Sequence, residues 1–91
     1  MGTNDKQKII INLKKAQTLI GKVLQMSEDN EYCVKIMQQN LAAIGLLKSA
    51  NQNLLEGHLN SCFKAVMASS NKKKQDEMIK EILQINKLTN K

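Results

Sequence analysis

Residues 31–68 read EYCVKIMQQNLAAIGLLKSANQNLLEGHLNSCFKAVMA, and this stretch decides the fold. It carries two neighbouring stripes at helical spacing. One is Met37, Leu41, Ile44, Lys48, Asn51, Leu55, His58 and Cys62; the other is Ile36, Ala43, Leu47, Ala50 and Leu54. The spacing predicts one long helix over about 31–68. Two largely apolar faces on one helix predict two neighbours, a preceding helix of the same chain and a second chain. Gly45 and Gly57 each lower helix propensity by about 1 kcal/mol, so packing must hold them.

The flanking segments are helical too. Before the long helix, Ser27-Glu28-Asp29-Asn30 is a break, because Ser, Asp and Asn compete with helical hydrogen bonds and serve as caps. A first helix over about 5–26 has the stripe Ile9, Leu13, Ala16, Ile20 and Val23, with Asn4 as its N-cap. After it, Ser69-Ser70-Asn71-Lys72-Lys73-Lys74 reads as a polar loop. A third helix over about 75–87 turns Met78, Ile79, Ile82, Leu83 and Ile85 inward. Residues 1–91 thus form a single all-α domain of three helices with a long central one. There is no proline, and the aromatic residues are Tyr32 and Phe63 alone. A 91-residue chain buries a modest core, and oligomerisation is a natural source of further burial.

All fourteen basic residues are lysine, and the net charge is +6. That balance favours an anionic partner such as DNA or RNA. Lys8, Lys15 and Lys22 recur every seven residues, about two helical turns, with Lys14 beside them. With Lys48 they are the candidate phosphate contacts, which supply affinity and salt dependence rather than sequence reading. The aromatic platforms that stack on single-stranded bases are missing. Ile9-Ile10-Ile11 is too short for a signal-peptide core or a membrane span, so a cytoplasmic protein is expected. One histidine with no nucleophile–base pair argues against an enzyme.

The two cysteines and the one histidine sit at the two ends of the long helix. His58 and Cys62 are four apart and share one face of an α-helix. Cys33 falls in the first turn, where the positive end of the macrodipole favours negative charge. Two thiols and an imidazole are soft donors that suit Cu(I), whereas a structural Zn(II) wants a fourth ligand. Cys33 and Cys62 are 29 positions apart by their numbers. On one helix they are separated by roughly 43 Å at about 1.5 Å per residue. One chain then cannot close the site. Two chains with antiparallel long helices can, placing Cys33 of one protomer beside His58 and Cys62 of the other, with a two-fold axis near residues 46–48. Tyr32 is either an outer hydrogen-bonding partner of the site or a packing group at the helix start.

The motifs Tyr32-Cys33-Val34, Gln39, Ala42, Leu47, Glu56 and His58-Leu59-Asn60-Ser61-Cys62 resemble the copper-sensitive operon repressor family of bacterial metal-sensing transcriptional regulators. The resemblance runs from about residue 11 to residue 88. It implies an antiparallel four-helix dimer core that pairs into a dimer-of-dimers tetramer. It implies Cu(I) at Cys33, His58 and Cys62 across the dimer interface, and release of operator DNA when Cu(I) binds. It also implies two outer partners of the site, a tyrosine matched by Tyr32 and a glutamate matched by Glu81, with Glu77 as the fallback. The family's nickel, cobalt and formaldehyde sensors have a histidine near the amino terminus, which this chain lacks. Its persulfide sensors lack the histidine that stands here as His58. The first helix departs from the family's arginine-containing signature: Lys15 keeps one charge, and the second arginine aligns with Gly21, next to Lys22. Lysine lacks the planar fork that reads guanine. A copper-buffering or thiol-sensing protein of the same fold, with weak or no DNA binding, is therefore the alternative expectation.

Overall fold

The computed structural model describes residues 3–90, with side chains described from Lys6 onward. Four α-helices and one π-helical turn make up the described chain: α1 (Thr3–Glu28), α2 (Cys33–His58), the π turn (Leu59–Phe63), α3 (Lys64–Ala68) and α4 (Lys72–Thr89). All-α architecture is as the periodicity requires. The expected long central helix corresponds to α2, the π turn and α3 together. Its path keeps right-handed helical dihedrals at the two junctions, φ −63° and ψ −45° at His58, φ −58° and ψ −45° at Lys64. Gly57, Asn60 and Ser61 make this the weakest helix-forming part of the stretch, which is where an α-ladder most readily gives way. The chain divides into two compact units, Met1–Gly57 and His58–Lys91.

In the first unit α1 and α2 form a hairpin. The turn between them is built by local chemistry. Asn30 takes the left-handed conformation, φ 55°. The Glu31 N–H donates to the Met26 carbonyl (3.0 Å) and the Asn30 N–H to the Ser27 carbonyl (3.3 Å). These two bonds close a Schellman motif, with asparagine where glycine is commonest. The Tyr32 carbonyl then accepts from the N–H groups of Lys35 (3.0 Å) and Ile36 (3.2 Å), so Cys33 is the first residue of α2. The break thus comes two residues later than the expected 27–30: Ser27 and Glu28 still belong to α1. The helix also begins at Thr3, which places Asn4 within it rather than at its cap.

The hairpin core departs from the expected stripe in one instructive way. The residues of α1 that lose solvent are Ile9, Asn12, Ala16, Leu19, Val23 and Met26, in strict three-four alternation. Those of α2 up to Asn53 are Ile36, Gln39, Ala43, Leu46, Ala50 and Asn53, and Gly57 continues the series. Ile9, Ala16, Ala43 and Ala50 are buried. Leu13 and Ile20 remain 43% and 50% exposed, as do Leu47 and Leu54 at 41% each. A heptad seam of this kind brings a narrow strip of each helix into contact. Ala43, Ala50 and Gly57 alternate on the α2 seam with the larger Leu46 and Asn53, while Leu47 and Leu54 fall outside it. Gly57 is buried as packing requires, but a Cβ at Gly45 would meet nothing within 4 Å.

In the second unit α3 packs against the π turn and against α4. The connection is short and tightly bonded. The Gln75 side-chain amide donates to the Ser69 carbonyl (2.7 Å) and reaches the Met67 carbonyl (3.4 Å), satisfying the end of α3. Asn71 caps α4, its Oδ1 accepting from the Lys74 N–H at 3.1 Å. Lys72–Lys74 are therefore helical rather than part of a loop. Three lysines in a first helical turn oppose the macrodipole, which makes the cap matter more. Asn71→Ala is expected to cost about 1 kcal/mol, read as a lower thermal midpoint, with Asn71→Asp restoring it. Only Met78 and Ile82 of the expected inner face are half-buried; Ile79, Leu83 and Ile85 are exposed.

Candidate metal centre

Each candidate ligand is held by a helix, and the two ends of the candidate site lie in different compact units. Cys33 opens α2 in the first unit. Its thiol is free and exposed. Tyr32 precedes it and is 67% exposed, so its ring does not pack into the hairpin. His58 and Cys62 belong to the second unit. His58 is half-buried; Cys62 is free and exposed.

The backbone between them is not the continuous α-helix that the spacing predicts. His58 is the last residue of α2, and Cys62 lies inside the π turn. A π turn bonds i to i+5 and closes over more residues than an α turn. Residues four apart still lie on one side of such a turn. Isolated π turns inside α-helices occur frequently at functional sites. The Ser61 hydroxyl donates to the Cys62 sulfur at 3.8 Å, a weak bond to a weak acceptor. Nothing in the apolar spacing reveals a π turn; the only cue is the cluster of poor helix formers at 57–61.

Among the described residues, no three Cys, His, Asp or Glu side chains gather into a group able to hold a metal. The chemistry of the donor set nevertheless fits a soft monovalent ion: two free thiols and one imidazole, with accessible sulfurs. Glu77 and Glu81 are both on α4 and both exposed. The candidate DNA-facing lysines, Lys8, Lys14, Lys15 and Lys22 on α1 and Lys48 on α2, are all exposed in the first unit. Lys14 and Lys15 border an open surface hollow of about 440 Å³ together with Thr18, Leu19 and Leu46. Among the described residues, no helix is long and apolar enough to cross a membrane.

Comparison with known proteins places this arrangement among relatives. Residues 5–87 match the model of a family described as metal-sensitive transcriptional repressors. The copper-sensing transcriptional repressor CsoR of Mycobacterium ulcerans is 36% identical over 64 residues, 69% of this chain and 55% of that protein. CsoR of Mycobacterium tuberculosis H37Rv is 33% identical over 61 residues, 67% of this chain and 51% of that protein. The copper-sensing transcriptional repressor RicR of the same strain is 27% identical over 66 residues, 72% of this chain and 69% of that protein. The chain thus spans about half the length of the two CsoR proteins.

Proposed function

This chain belongs to the metal-sensitive transcriptional repressors, and from that premise we propose that it is a cytoplasmic Cu(I)-responsive repressor. Its metal-free form binds operator DNA, and Cu(I) at Cys33 of one protomer with His58 and Cys62 of another releases it. The observation that carries this is the donor set: two exposed free thiols and one imidazole, with Cys33 at the start of α2, His58 at its end and Cys62 in the π turn. The names of the CsoR and RicR relatives support copper as the signal.

The exposed apolar residues support assembly. Leu13, Ile20 and Leu24 on α1, and Met37, Leu41 and Ile44 on α2, are 39–64% exposed and lie outside the hairpin seam. A soluble chain covers so many large apolar side chains against other chains. Pairing of two α2 helices in antiparallel fashion brings opposite ends of the long helices together, completing two equivalent sites per dimer. Dimers pairing into tetramers align the lysines of α1, which hold DNA through its phosphates. Tyr32 and Glu81, or Glu77 in its place, are the outer partners through which the bound ion biases the assembly away from its DNA-binding shape.

DNA release is a coupling between two ligands and is therefore reciprocal. With the DNA upstream of its own gene as probe, saturating Cu(I) is expected to weaken binding by about 5- to 150-fold. DNA must weaken Cu(I) binding by the same factor. Gel-shift and anaerobic Cu(I) competition measure the two halves. Operator affinity unchanged by saturating Cu(I) sinks the mechanism. Absence of any binding by the metal-free protein at moderate salt favours the second reading, a copper-buffering or thiol-sensing protein of the same fold. That reading draws on the absence of arginine from the chain.

A further inference from the structure

Cys33 has a neighbour with a second sulfur. Met37 lies four residues after it in α2, and residues four apart on a helix are surface neighbours, about 5–6 Å between Cβ atoms. Long helical side chains lean back toward the helix N-terminus. A methionine at 37 therefore leans over the turn that carries Cys33. Met37 is 54% exposed, and the seam residues on either side of it are Ile36 and Gln39, so its thioether is not consumed by the hairpin core. The bland alternative is an apolar residue awaiting a second chain, a role leucine fills equally well.

We propose that the Met37 Sδ is a further ligand of the copper centre, so that one protomer contributes a thiolate–thioether pair and the other an imidazole–thiolate pair. The inference rests on the copper reading above and deepens it. A neutral thioether is a soft donor that suits Cu(I), and it is not among the ordinary ligands of Zn(II), which are thiolate, imidazole and carboxylate. It adds a fourth coordination position without adding charge, and it does so with a group that Zn(II) does not use. Selectivity for copper then resides partly in Met37, and the Cys33–Met37 turn is a two-sulfur landing point for the incoming ion.

The test uses the full chain produced with selenomethionine and loaded anaerobically with Cu(I). X-ray absorption at the selenium edge is expected to show a copper neighbour at bonding distance. That signal disappears in Met37→Leu, which retains the other four methionines and nearly the same side-chain volume. Met37→Leu is also expected to lower Cu(I) affinity about tenfold, within the range that changes around a metal site produce, and to leave Zn(II) affinity where it was. Absence of a selenium–copper neighbour overturns the role of Met37, whatever the affinity does. If Cu(I) binding is still lost in Cys33→Ala, the copper centre stands without Met37. If Cu(I) binding is indifferent to Cys33, the centre itself fails, and Met37 with it.

Discussion

Cys33→Ala is expected to lower Cu(I) affinity by more than about 100-fold, beyond the range that loss of an outer partner of a metal site produces. In the proposed centre the Cys33 sulfur is one of only two thiol ligands, and removing it leaves His58, Cys62 and the weaker Met37 thioether to hold the ion. Anaerobic titration against a competing chelator measures the loss, and the wild type should hold one Cu(I) per protomer. A mixing experiment separates a site shared between chains from a site within one. Cys33→Ala and Cys62→Ala chains each bind little alone. After subunit exchange, a heterodimer combines the intact Cys33 of one chain with the intact His58 and Cys62 of the other. With random exchange, half the dimers carry one complete site, so about a quarter of the wild-type capacity should return. No recovery after demonstrated exchange refutes the shared site.

The second large effect concerns the hairpin rather than the metal. Ala43 is 2% exposed on the α2 seam, and Ala16 across the hairpin is 1% exposed. Ala43→Leu forces three extra carbons into a position that is already closed to solvent. Overpacking of this kind costs about 1–3 kcal/mol. For a domain near this size each kcal/mol lowers the thermal midpoint by about 4–8 °C. Gln38→Leu, on the exposed side of the same helix, is the control and should change stability by no more than about 0.5 kcal/mol. Equal effects at 38 and 43 would mean that the seam is not where the solvent exposures place it.

Which stripe of α1 is buried was not legible in the sequence, and the reason is physical. Ile9, Ala16 and Val23 belong both to the expected stripe, which adds Leu13 and Ile20, and to the observed one, which adds Asn12, Leu19 and Met26. Hydrophobicity favours the first. The observed seam faces a strip of α2 that carries the buried Ala43, Ala50 and Gly57, and a heptad strip brings only a narrow face of each helix into contact. Leu13 and Ile20 remain outside, free for another chain. The same distinction applies to Lys72–Lys74: their charge suggested a loop, but Asn71 at the cap and Gln75 against the carbonyls of α3 carry the helix back over them.

What the amino-acid sequence determined by itself is what short-range chemistry controls. Caps, breakers and helical periodicity act within a turn or two of a residue. They set the all-α content, the break that ends in the left-handed Asn30, the position of Cys33 in the first turn of α2, and the four-residue step from His58 to Cys62. Tertiary structure decided which face of each helix is buried and where the long helix relaxes into a π turn. Burial is a property of two surfaces at once, and the choice between i+4 and i+5 bonding is made at residues that are poor helix formers in either ladder. Neither condition is written in the spacing of residues along one helix.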